Sequence, residues 1–174
     1  MVRRMRLYGA KVAPLAQDVV RTLVAGKAIE TDAQREVIAD IEAVLKSYLD
    51  TERIVDEKTR DLLQQTGRGT SDFGRARQQI AAHHNIKVGE ETIDFLLDQV
   101  VEMLMHSNHV EEVYAEDIEL RRKMSPVFKK HMSADAELEA EVRGQLKHLK
   151  EGTPQWDIEH AKVLQVVKRK RGLA

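Results

Sequence analysis

"GTPQW" at residues 152–156 repeats, in outline, "GTSDF" at residues 69–73: glycine, threonine, two residues, then a large aromatic, 83 positions apart. Working outward from this turn, the same shift of 83 lays Val37, Ile41, Val44, Leu45, Leu49, Val55 and Leu63 on Leu120, Met124, Val127, Phe128, Met132, Leu138 and Leu146. Further upstream, a shift of 81 lays Leu15, Val19, Val20, Leu23, Val24 and Ile29 on Leu96, Val100, Val101, Leu104, Met105 and Val110. Two amphipathic helices match easily because they share a period. The common turn at a common offset is what makes the match a repeat. The chain reads as two copies of one unit, residues 1–88 and 89–174, joined near Lys87–Gly89 and packed as one body or two close lobes. Phe73 and Trp156 are expected to be equivalent buried residues that staple the start of each copy's last helix.

Helical spacing runs nearly throughout, and strand alternation is absent. In the first copy, helices are expected from Pro14 to Gly26, from an Asp32 cap through Leu49, from Asp56 to Gly67, and from Ser71 or Asp72 onward. In the second they are expected over 91–105, over 115–132 with Pro126 bending or interrupting the helix, over 135–150, and from Trp156 through Val167. The expected fold is all-α: two tandem, internally duplicated four-helix units in a bundle-like body.

Composition agrees. Hydrophobic residues make up 42% and charged residues 33% of 174, which suits a well-solvated globular chain rather than a disordered one. Without cysteine there are no disulfides, thiolate metal sites or cysteine nucleophiles. No apolar run approaches the ~18–20 residues of a membrane span, and "MVRRMR" leads into no signal-type core. A cytoplasmic protein without membrane contact is expected.

Charge is unevenly laid out. Arg3, Arg4, Arg6 and Lys11 at one end, and Lys162, Lys168, Arg169, Lys170 and Arg171 at the other, make nine cations with no acid among them. The rest of the chain must then carry −10, since the net charge is −1. Residues 88–120 hold ten acids and neither Lys nor Arg. Cations at the end of a helix offset its dipole, which accounts for one or two of the C-terminal group. Four in a row, matched at the N-terminus, suit phosphate or an acidic partner. Arg3, Arg4, Arg6, Lys11, Lys168, Arg169, Lys170 and Arg171 are therefore the candidate contact residues.

Motifs for chemistry are weak. In "HSNHVEE" at 106–112, His106 and His109 lie three apart with Glu111 and Glu112 behind, a set that suits zinc or iron. Ser107-Asn108 reads as a helix end, however, and at shift 81 the two histidines fall on Ala25 and Ala28. His83 and His84 are adjacent and point ~100° apart on a helix. "TGRGTSD" at 66–72 has Asp72 where a phosphate loop needs glycine, and it follows a helix rather than a strand. The Glu pairs at 90–91 and 111–112 suit a helix's first turn. No metal, cofactor or catalytic residue is assigned.

"MRLYGAKV" at 5–12, "DFGRARQQIA" at 72–81, "HVEEVYAEDIELRRKM" at 109–124 and "VKRKRGL" at 167–173 resemble the bacterial domain-of-unknown-function family 507. The resemblance spans nearly the whole chain from Met5. It implies a soluble, helical, bacterial protein whose native start is Met5, and it implies no activity. The expected function is a non-catalytic interaction protein with a protein partner, using the acidic 88–120 face and the basic termini. The alternatives are a nucleic-acid or ribonucleoprotein-associated binder acting through those termini, and a small metalloenzyme at His106 and His109. Self-association is compatible with all three.

Overall fold

The computed structural model describes residues 6–134, 136–150 and 153–170. Helix α1, Val12–Ala25, starts with Pro14 in its first turn, where a missing N–H leaves no bond unmade. It buries Val12, Leu15, Ala16, Val19, Val20 and Leu23, and closes where the Gly26 N–H reaches the Thr22 carbonyl. A two-residue strand β1, Ile29–Glu30, leads to α2, Gln34–Thr66, and a short turn leads to α3, Phe73–His83. The second half follows with α4 (Thr92–His106), β2 (Glu112–Val113), α5 (Asp117–Ala134), α6 (Ala136–Gln145) and α7 (Pro154–Lys170).

The all-α expectation holds, and the halves correspond element by element. α1 and α4 end 81 residues apart, and α2 and α5 start 83 apart, matching the two sequence shifts. α1 packs on α2 and α5, while α4 packs on α5 and α2. α3 lies along α2 as α7 lies along α6. β1 and β2 pair antiparallel, Ile29 with Val113 and Glu30 with Glu112. Exchanging the halves reproduces each of these contacts, the pattern of a pseudo-two-fold axis. The matched apolar pairs lie inside on both sides: Leu15 and Leu96, Val19 and Val100, Ile41 and Met124, Leu45 and Phe128 are all fully buried. One core spans both halves through α1, α2, α4 and α5. A smaller cluster of Leu138, Val142, Leu146 and Val167 holds α6 to α7.

Four expectations are corrected. The second and third helices of the first copy are one 33-residue helix, because α2 contains no Gly or Pro and its buried series runs on through Val55, Thr59 and Leu63. Asp56 opens nothing; it is a buried carboxylate midway along α2. α2 ends where Gly67 takes a left-handed φ of 67°, with its N–H on the Leu63 carbonyl. At its start the N-cap position is Ala33, not Asp32, and no side chain caps it. Thr31 Oγ1 accepts from the Ala33 N–H at 2.9 Å and donates to the His109 carbonyl at 2.5 Å. Phe73 and Trp156 begin equivalent helices but are half-buried rather than core. The fourth correction is the ribbon β1–β2 itself, too short for alternation to register. α5 continues across Pro126, which sits on its exposed face.

Candidate interaction surfaces

Thr31, tied to the His109 carbonyl, places the ribbon at the head of α2. Residues 88–120 contribute much of the acidic surface there. Glu111, Glu112, Glu116, Asp117 and Glu119 are exposed, and Glu30 joins them from β1. Tyr114 and Ile118 stand among them, 62% and 61% exposed, four residues apart across the start of α5. The Tyr114 hydroxyl donates to Glu30 Oε2 at 2.5 Å. That bond, with burial and the charges of Glu30, Glu112 and Glu111, raises the phenol's pKa. A hydrogen bond with Asp32, and the Asp32 charge, raise the Glu111 carboxyl as well.

The basic candidates do not act as one set. Arg6 turns inward: its Nε lies 3.8 Å from Glu52 and its second terminal nitrogen 3.8 Å from Asp56. Lys11 caps α1 from a half-buried position. Lys168, Arg169 and Lys170 form the last turn of α7, the latter two exposed. Arg3, Arg4 and Arg171 lie outside the described residues.

His106 and His109 face different partners. α4 ends at His106, and its Nδ1 donates to its own helix at the Glu102 carbonyl, 2.8 Å away. His109 Nδ1 lies 2.9 Å from Asp40 Oδ2, which also accepts from the Ser107 hydroxyl. Among the described residues no three His, Asp or Glu side chains are placed to hold a metal ion together. No described helix is long and apolar enough to cross a membrane.

Sequence reasoning missed a pair of buried charge networks. Asp56 on α2 accepts from Arg77 Nε on α3 at 2.6 Å, and Arg77 also donates to Glu52 at 3.1 Å. Tyr48, one turn before Glu52, donates its hydroxyl to the Lys87 carbonyl at 2.9 Å. In the second half, Glu139 on α6 meets His160 Nε2 on α7 at 2.7 and 2.9 Å, and Arg143 Nε at 3.1 Å. The shift of 83 carries Asp56 to Glu139, Arg60 to Arg143 and Arg77 to His160. Each copy therefore joins its last two helices by an acidic side chain and a basic one 21 residues further on. The recurring spacing was the available signal, and it becomes visible only once the repeat is aligned. Burial raises the Glu52 carboxyl despite the charges of Arg6 and Arg77. Burial also works against Glu139, but the bonds and charges of His160 and Arg143 outweigh it and hold that group below its usual value.

Both networks open on one cleft of about 460 Å³, bounded by residues 6–9, α2, α6 and α7. Trp156 stacks on His160 at its α7 wall, ring centroids 4.7 Å apart.

No curated protein matches the chain. A family model does, over residues 5–173, and its description is protein of unknown function (DUF507). With nearly the whole chain inside that match, the protein belongs to the DUF507 family.

Proposed function

We propose that this is a non-catalytic interaction protein of the bacterial cytoplasm that docks a basic, partly apolar segment of a protein partner on its acidic 88–120 face. The exposed Tyr114–Ile118 pair within that ring of carboxylates carries the reading. Large side chains leave such a position for a partner when they are rimmed by charge, and the carboxylates steer and select a basic one. Tyrosine also brings area and a polar tip at small entropic cost. The exposed cations closing α7 favour the second reading, nucleic-acid binding, in which phosphate contacts position without reading sequence.

The test is capture from native lysate, with and without nuclease, by the wild-type chain and by a Tyr114→Ser, Ile118→Glu variant. A protein partner that survives nuclease and disappears with the variant supports the proposal. Capture that vanishes with nuclease, and is indifferent to the variant, replaces it with the nucleic-acid reading.

A further inference from the structure

The cleft between α2 and the α6–α7 pair lies apart from the acidic face and does not depend on it. Its floor carries three buried acidic residues, Glu52, Asp56 and Glu139. All three are answered from within the protein, by Arg6 and Arg77 on one side and by Arg143 and His160 on the other. The floor is thus electrically closed.

The walls are different. Arg53 and Arg60, two turns apart on α2, line the cleft, and no ion pair among the described residues engages either. Glu57 between them, and Asp157 on α7, line it too, so the free wall charge is balanced rather than positive. That balance disfavours a bare polyanion. The α7 wall adds the stacked Trp156–His160 pair, a polarisable aromatic wall with the Arg143 guanidinium 5.9 Å from the indole centroid. The volume, about 460 Å³, falls in the ~300–1,000 Å³ range of small-ligand sites.

We infer that this cleft binds a mononucleotide, its phosphate on Arg53 and Arg60 and its base against the Trp156–His160 wall. Guanidinium forks suit phosphate oxygens, and the acids of the walls suit a base's amino group or ribose hydroxyls. Neither half of the ligand suffices alone: phosphate without a ring leaves the aromatic wall unused, and a nucleoside without phosphate leaves both arginines unpaired.

Trp156 is the chain's single tryptophan, so its fluorescence reports on the cleft directly. The full chain should be titrated with AMP, GMP, CMP and UMP, with inorganic phosphate and adenosine as separated halves, and followed by calorimetry as well as emission. At least one nucleotide should bind with a Kd below ~1 mM. Arg53→Gln with Arg60→Gln should weaken it by about tenfold or more, since charge-assisted bonds to phosphate contribute ~1.5–3 kcal/mol. That variant should keep the wild-type circular dichroism and melting temperature, because neither arginine is paired. Trp156→Phe, read by calorimetry, should retain measurable but weaker binding. Failure of all four nucleotides to saturate by ~5 mM, or binding equal in the double variant, would overturn the assignment. So would single-stranded RNA binding where mononucleotides do not.

Discussion

Removing Arg77 should expose how much the first half depends on its buried charges. Arg77 spans two carboxylates with one fork, Nε to Asp56 at 2.6 Å and a terminal nitrogen to Glu52 at 3.1 Å. The two carboxylate side chains are 11% and 6% exposed. Stripping a buried ion pair of one partner costs ~3–5 kcal/mol, because the remaining charge keeps its desolvation penalty. Two features pull Arg77→Ala to the lower end. Arg6 stays within 3.8 Å of both acids, and Glu52, already raised by burial, can take up a proton. We expect a loss of ~3 kcal/mol at neutral pH, shrinking on mild acidification. With a urea slope of ~2 kcal/mol/M, the unfolding midpoint should fall by ~1.5 M. Arg77→Lys should recover only part, since one ammonium cannot reproduce a fork across two acids. Arg75→Ala, an exposed neighbour on the same helix, should stay within ~0.5 kcal/mol of wild type. If Arg77→Ala does too, the buried network contributes little, and its recurrence in both halves has another cause. The repeat offers the converse experiment: His160→Arg installs the first copy's cation in the second, and should be tolerated within ~1 kcal/mol.

Phe128→Ala removes the largest fully buried side chain among the described residues and should cost ~3–5 kcal/mol by denaturant unfolding. Tyr48, whose pKa burial and the Glu52 charge push far above the usual phenol value, stays protonated in the fold when the unfolded chain ionises. Its contribution is complete below pH ~10 and lost above it, so alkaline titration of stability should be shallower in Tyr48→Phe than in wild type. Glu139 has the opposite sign: its lowered pKa stabilises the fold above the unfolded value of ~4.3 and the gain disappears as pH falls through the folded one, so Glu139→Gln should remove part of the acid slope measured between neutral pH and pH ~3.5.

The parts of the fold that were legible are those that periodicity encodes. Leu15, Val19, Leu23 and their partners at shift 81 were assigned to the core from spacing alone, and each is buried. Polar residues misled because one side chain serves several ends. Asp56 has the chemistry of a helix cap, and only the arrival of Arg77 from α3 shows that it is an ion-pair acceptor within an unbroken helix. Asp32 likewise has the right type, but the N-cap position falls on Ala33, and the nearby hydroxyl of Thr31 is used to accept from the Ala33 N–H and to donate to the His109 carbonyl. The basic termini looked uniform in one dimension. In the fold Arg6 is folded onto acids of α2, whereas Arg169 and Lys170 face outward. Tyr114 and Ile118 could not be singled out at all, because an apolar residue at helical spacing carries no mark of whether anything covers it.

The duplication also says where to look for function. Two copies that kept identical duties would keep identical surfaces, yet here the core positions agree and the outer ones do not. At shift 83, the exposed Tyr114 and Ile118 of the second copy stand where the first has Thr31 and Arg35. One copy's ribbon end uses Thr31 to tie the halves together, which frees the other to present an apolar pair to a partner. The charge networks diverge in the same way. In the first copy Glu52 and Asp56 of α2 are met by Arg77 and approached by Arg6, while in the second Glu139 is met by Arg143 and by His160, beside a small core of its own. A strict two-fold would give each network its own equivalent surroundings. Instead both networks open on a single cleft, lined by Trp156 of the second copy but not by its counterpart Phe73. The ribbon end and the cleft are thus the places where two equal halves stopped being equal, and a repeat retained for packing alone gives no reason for either departure.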